Sequence, residues 1–259
     1  MADEVLYEKQ GAIGWITLNR PDQLNAINDR IRQLLPECVL TAERDAEVRV
    51  IVVRGAGERA FCAGADVKEF APVDSAAAYR QARVHRTWIR PFDDALKPIV
   101  ASIHGHCLGG GLEIALACDI RIASRGARFG FPETGLGIIP GVGGSQRILR
   151  LAGAALAMDL LLTGERITAE RALSIGVITR LVEDEALAAQ TTELAERIAA
   201  KAPLATAFAK ELVRTGADLP HEAARRKEVD LLALLLDTED RLEAAQAFRE
   251  KRPPRFVGR

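Results

Sequence analysis

One stretch of this chain constrains its fold more than any other. An apolar run from Ile99 to His104 leads, through Gly109-Gly110-Gly111, into a helix-forming segment that is almost free of polar residues. Leu112, Ile114, Ala115, Leu116 and Ala117 surround its single carboxylate, Glu113. A helix apolar on all sides has to be buried. His104, His106, Glu113 and Asp119 interrupt the stretch, so it does not read as a membrane span.

The surrounding pattern alternates strand and helix. Val5–Tyr7 and Ala12–Leu18 flank Gly11 and read as a hairpin. Asn28-Asp29 starts a helix through Ile31, Leu35 and Cys38, which Pro36 is expected to kink or to start late. Val50–Val53 is a buried strand, Phe61–Asp66 a loop, and Ser75 to Ala95 a helix. Ile120–Ala123 and Arg128–Phe131 are short strands. From Gly144 onward the signal is helical, with Val177–Leu181 as the one strand. Two or three amphipathic helices occupy Ala202 to Lys251, and Leu231, Leu232, Leu234, Leu235 and Leu236 cover most sides of one of them. That helix should be buried, either on its parent domain or on another subunit. The pattern is an α/β body over residues 1–200 with a helical oligomerisation region over 201–259.

Charge and cysteine usage narrow the function classes. The formal net charge is −1, without the basic excess of a general nucleic-acid binder. Cys38, Cys62, Cys107 and Cys118 are scattered and read as reduced thiols in or near the core. Acids follow Met1, where a signal peptide would carry bases, so a cytoplasmic location is expected. His104 and His106 share a face if their strand continues, a weak case for a metal. His85 and His221 read as surface or helix residues.

Three small-residue elements could carry chemistry. Gly109-Gly110-Gly111 follows a strand and opens a helix, where backbone N–H groups can face a negatively charged oxygen. Glu113, next to it, is buried with its helix, and burial readies a carboxyl for proton transfer. The second element, Gly130 to Gly144, reads GFPETGLGIIPGVGG and carries Glu133, which alone resembles a solvated loop carboxylate. Its glycines fail the dinucleotide spacing, and Ser145 lacks the last glycine of a nucleophile elbow. The third, Phe61-Cys62-Ala63-Gly64-Ala65-Asp66, again exposes main-chain donors.

In this order the motifs resemble the crotonase, or enoyl-CoA hydratase/isomerase, superfamily. The resemblance runs from Leu18-Asn19-Arg20-Pro21 with Asn25-Ala26-Ile27, through the three elements above, to Thr238-Glu239-Asp240 and Phe248-Arg249-Glu250-Lys251-Arg252. It implies a crotonase-like spiral of ββα units ending in α-helices that build a homotrimer, commonly paired into a homohexamer. It implies a backbone oxyanion hole at Ala65 and Gly110, with Glu113 and Glu133 as acid–base pair. Coenzyme A, part of the substrate and not a cofactor, would meet Arg20, Asn25, Ala26 and Ile27, the loop residues Ala63, Gly64 and Asp66, and the cations Lys68 and Lys251. Gly109, Phe131, Pro132 and Gly141 would line the acyl pocket, where a Phe131 ring facing inward would narrow or dry the site. Leu236, Ala244 and Pro36 depart from the usual pattern, away from the chemistry.

The resemblance implies hydration of a 2-enoyl-CoA thioester to a 3-hydroxyacyl-CoA, without metal, nucleic acid or membrane. Double-bond isomerisation by the same carboxylates is the alternative, as is a hydratase specialised for a branched, cyclic or aromatic acyl group.

Overall fold

The computed structural model describes residues 3–69, 75–83 and 87–259. Its frame is a six-stranded sheet in the order β1 (Val5–Gln10), β2 (Ile13–Leu18), β3 (Val50–Gly55), β5 (Ile99–Ile103), β7 (Ile120–Ser124), β10 (Arg180–Val182). A smaller sheet holds β4 (Ala60–Cys62), β6 (His106–Leu108), β8 (Arg128–Gly130) and β9 (Ile167–Thr168). Only the edge pairs β1–β2 and β8–β9 are antiparallel; the other pairings are parallel. The chain therefore gives one strand to each sheet in turn: β3 then β4, β5 then β6, β7 then β8. Helices follow each pair, so the architecture is the expected spiral of ββα units.

Both faces of the large sheet are covered, which is why Val50–Val53 is an unbroken apolar run. Ile51 and Val53 point into the main core with Ile31, Leu35 and Val39 of helix α1 (Asp29–Arg44). Val50 and Val52 point the other way, into a cluster with Leu187, Leu194 and Ala195 of helix α8 (Leu187–Ala199). Pro36 does not delay α1: Asn28 caps it by accepting the Ile31 N–H at 3.0 Å, and the helix runs unbroken past the proline.

The expected loop at Phe61–Asp66 starts as β4, whose three residues are too few to show a period. The Ile99–His104 strand does not continue to His106, the condition under which the two histidines would share a face. Gly105 takes φ +53°, and a Cβ there would lie 2.1 Å from the Arg59 carbonyl oxygen. His104 and His106 thus fall at the junction between the two sheets, and no shared metal-binding face forms. Ser75 to Ala95 yields two described helices, α2 (Ala76–Arg83) and α3 (Arg90–Asp94), and His85 lies outside the described residues. Helix α4 (Gly110–Ala117) follows β6, while α5 (Gly144–Ala152), α6 (Ala154–Thr163) and α7 (Ala169–Ser174) lead to β10, three residues later than expected. Cys62, Cys107 and Cys118 are buried free thiols, and Cys38 is half-buried.

Three helices end the chain: α9 (Pro203–Gly216), α10 (His221–Leu236) and α11 (Glu239–Glu250). Helix α9 is tied to the body through Asp119, which meets Lys210 and Arg214, each at 2.9 Å. Helix α10, opened by His221, buries no residue within the chain. Of the two covers expected for its leucines, the parent domain supplies only part: Leu231 and Leu235 are half-buried, while Leu232, Leu234 and Leu236 stay exposed. No helix among the described residues is long and apolar enough to cross a membrane.

Candidate active site

The three small-residue elements leave the small sheet at one edge. β4, β6 and β8 are parallel neighbours, so the loops after Cys62, Leu108 and Gly130 emerge side by side. Carboxyl ends of parallel strands are where open α/β sheets bind ligands.

Two main-chain donors meet there. The Ile27 N–H donates to the Gly64 carbonyl at 2.8 Å, and the Asp66 N–H donates to the Ile27 carbonyl at 2.9 Å. These bonds pin Ala65 while leaving its own N–H unused. Gly110 opens α4, where the first N–H groups have no intrahelical partner. Among the described residues, neither N–H finds an acceptor. A Cβ on Gly110 would lie 3.8 Å from the Ala65 nitrogen, and one on Gly64 would lie 3.7 Å from the Gly110 nitrogen. Close approach of the two elements requires Gly111, where a Cβ would meet the Cys62 carbonyl at 2.2 Å. Two adjacent free donors at a helix start can hold an oxygen that gains negative charge.

Two carboxylates flank this point. Glu113 is buried, and its Oε1 accepts the N–H groups of Val142 at 2.9 Å and Gly144 at 2.8 Å. Burial raises its pKa, while the Val142, Gly144 and Gly141 amides and the Arg147 charge act to lower it. The fully buried Phe131 ring packs beside its stem: a Cβ on Gly144 would lie 2.8 Å from both Phe131 Cε1 and Glu113 Cγ. Glu133 sits in a 3-10 turn, Pro132–Leu136, and is only 7% exposed. The solvated position that the residue suggests when taken alone is thus a buried one, and among the described residues its Oε2 has no hydrogen-bond partner. Burial, partly offset by its own backbone N–H and reinforced by the Glu113 charge, pushes its pKa up to about 7. Glu113 is held by the N–H groups of two other residues, as an anion requires; Glu133 has only its own backbone N–H and a bare Oε2, as suits a neutral acid. Among the described residues no cluster of His, Cys, Asp and Glu is placed to hold a metal ion.

The residues expected around coenzyme A divide. Asn25, fully buried with φ +56°, is a structural tie: it accepts from the Arg20 N–H and donates to the Ala56 and Ala60 carbonyls. The Arg20 guanidinium is engaged inside the chain, by the Ala26 carbonyl at 2.6 Å and Asp66 at 3.0 Å. Together these bonds brace the Ala63–Asp66 loop. Lys68 is exposed in the following turn, Val67–Glu69. Lys251 is the C-cap of α11 and is exposed.

Comparisons with known proteins identify the family. The family model described as enoyl-CoA hydratase/isomerase matches residues 8–259. The chain belongs to this family. It is 38% identical over 250 residues to a short-chain-enoyl-CoA hydratase of Clostridium acetobutylicum, with 96% of each chain covered. It is 41% identical over 254 residues to an (E)-benzylidenesuccinyl-CoA hydratase of Thauera aromatica, covering 98% of this chain and 99% of that one. Its fold matches a crystal structure of a Geobacillus kaustophilus enoyl-CoA hydratase subunit at a TM-score of 0.93 and 39% identity, covering 99% of this chain and 98% of the other.

Within this enoyl-CoA hydratase/isomerase chain, sequence reasoning missed how Glu113 is held. The donors belong to Val142 and Gly144, about thirty positions downstream, and main-chain donors leave no side-chain signature. The density of glycine at Gly141, Gly143 and Gly144 is the signal that was there to read.

Proposed function

We propose that this chain hydrates 2-enoyl-CoA thioesters to 3-hydroxyacyl-CoA, with Glu113 as base and Glu133 as acid. The observation that carries the reading is the unequal holding of two buried carboxyls beside the free N–H groups of Ala65 and Gly110.

The thioester carbonyl accepts the Ala65 and Gly110 N–H groups, which draws electron density from C3. Glu113, ionised, takes a proton from water, whose oxygen bonds to C3. The C2–C3 π pair shifts to make an enolate, whose oxygen those two donors stabilise; one such donor is typically worth ~3 kcal/mol. The enolate collapses as Glu133 delivers its proton to C2. Glu113 is left protonated and Glu133 ionised, and passage of that proton from Glu113 to Glu133 resets the pair. The addition is redox-neutral, and coenzyme A arrives and leaves with the acyl group. Lys68 is the exposed cation nearest in sequence to the oxyanion loop and the one offered to the coenzyme A phosphates.

The assembly follows from the tail. Val229, Leu232, Leu234 and Leu236 of α10 are each more than half exposed in the single chain, as are Val213 and Phe248 beyond it. So much apolar surface on three helices calls for cover by copies of the chain, arranged as a homotrimer or a pair of trimers.

Hydration and isomerisation part in labelled water. Reaction of 2-enoyl-CoA thioesters in H2(18)O should place one heavy oxygen at C3 of the product; unlabelled product with a migrated double bond would reject the reading. The relatives named for short-chain and for benzylidenesuccinyl substrates make a panel from crotonyl-CoA to aryl-substituted enoyl-CoA the informative one.

A further inference from the structure

Arg147 occupies a place that its charge alone would not choose. It lies in the first turn of α5, where the helix dipole opposes a cation. Its side chain folds back over the helix start: a Cβ on Gly143 would lie 3.3 Å from Arg147 Nε. Two carboxylates explain the position. Arg147 Nη2 donates to both Asp93 oxygens, at 2.8 and 3.0 Å. Glu113 meets the same helix start at the next residue: a Cβ on Gly144 would lie 2.9 Å from Glu113 Oε1, and the Arg147 charge acts to lower the pKa of that carboxyl. The same helix start supplies the Gly144 N–H that grips Glu113 at 2.8 Å. Asp93 is itself steadied, since Arg214 of α9 donates to the Phe92 and Asp93 carbonyls and to Ala117 of the Glu113 helix. Among the described residues the buried Arg147 Nε has no acceptor, so hydrogen bonding within them does not account for this N–H.

From this arrangement we propose that Arg147, anchored by Asp93, is a positioning residue that keeps the Glu113 carboxylate ionised and aimed. The inference rests on Glu113 acting as base in the reaction above. The other charged groups around Glu113 among the described residues do not supply this field. Glu133, from the turn after β8, is a carboxyl and opposes it. Arg121 of β7 turns its guanidinium to the Cys118 and Val177 carbonyls, at 2.7 and 2.6 Å, and the cation that acts on Glu113 is Arg147.

The test is the pH profile of kcat/KM for crotonyl-CoA hydration by the purified full chain. Glu113 must be ionised, so its titration sets the acid limb. In Arg147→Gln the acid limb moves up by about one pH unit, the bell narrows and its maximum falls, while KM changes less than about two-fold. Arg147→Lys, which keeps the charge, holds the acid limb near its wild-type place. Asp93→Asn, which frees the guanidinium to turn on Glu113, moves the limb the opposite way, to lower pH. That variant also serves if Arg147→Gln does not fold, because a merely structural tie gives no opposite shift. An acid limb unmoved in Arg147→Gln, or moved upward in Asp93→Asn, overturns the inference while leaving the hydration reading intact. Absence of wild-type hydration would instead sink the reading beneath it.

Discussion

The carboxylate of Glu133 fills the space that a side chain on Gly109 would need: Oε1 lies 2.9 Å from the point where a Cβ would sit. The relationship is reciprocal, because Gly144 downstream of Glu133 opens the same room for Glu113. Each carboxyl is admitted by a glycine on the segment that carries or follows the other. Gly109→Ala therefore strikes twice. The backbone there has φ +51°, which costs an L-residue about 1–3 kcal/mol, and the new methyl displaces the acid. We expect kcat/KM to fall about 10²- to 10³-fold, with a matching loss in urea-melt stability. Unchanged kinetics would mean that Glu133 is not where the chemistry happens.

With Glu133 as the proposed acid, the alkaline side of the pH profile is its titration. The protonated form would be the active one, and its pKa is pushed up to about 7, mainly by burial. Hydration measured as kcat/KM should accordingly decline through about pH 7 and lose about tenfold for each further pH unit. A profile flat to pH 9 would contradict the assignment.

The same burial has a cost in stability. A carboxyl whose folded pKa is above its unfolded value contributes most below the unfolded value and loses that contribution as pH rises through the folded one. For Glu133 the window runs from 4.5 to about 7. At ~1.4 kcal/mol per pH unit the penalty above it is on the order of 3 kcal/mol. Glu133→Gln removes the charge and keeps the shape. Its Tm should exceed the wild type by about 5 °C or more at pH 8, and the difference should close near pH 4.5. Equal melting at both values would show that the carboxyl is not strained by its site.

The exposed leucines of α10 give a prediction about assembly. Wild-type protein should sediment at a multiple of the single-chain mass, and Leu232→Asp with Leu236→Asp should shift it toward one chain. Sedimentation of the wild type as a single chain would refute the proposed oligomer.

The legibility of this fold in its sequence tracks how local each cause is. Glu113 was readable as buried because its own helix is apolar on all sides. Glu133 was not, because what buries it is distant: Gly109, twenty-four positions earlier, makes its room. Asn25, which the resemblance places near coenzyme A, also ties loops together through the Arg20, Ala56 and Ala60 main chain, a role with no local signal in the sequence. The small sheet escaped periodicity reading because β4, β6 and β8 have three residues each, and a turn at Gly105 that one φ decides hid the change of sheet. The α10 leucines read as buried on the parent domain or on another subunit; within one chain Leu231 and Leu235 are half-buried and Leu232, Leu234 and Leu236 are exposed.

The most direct measurement is the loss of conjugated enoyl-thioester absorbance on hydration by wild type, Glu113→Gln and Glu133→Gln, alongside binding of the product thioester. If the two carboxyls work as base and acid across one acyl group, each variant loses about 10²- to 10⁴-fold in kcat while binding persists. Near-wild-type turnover by either variant would contradict the account.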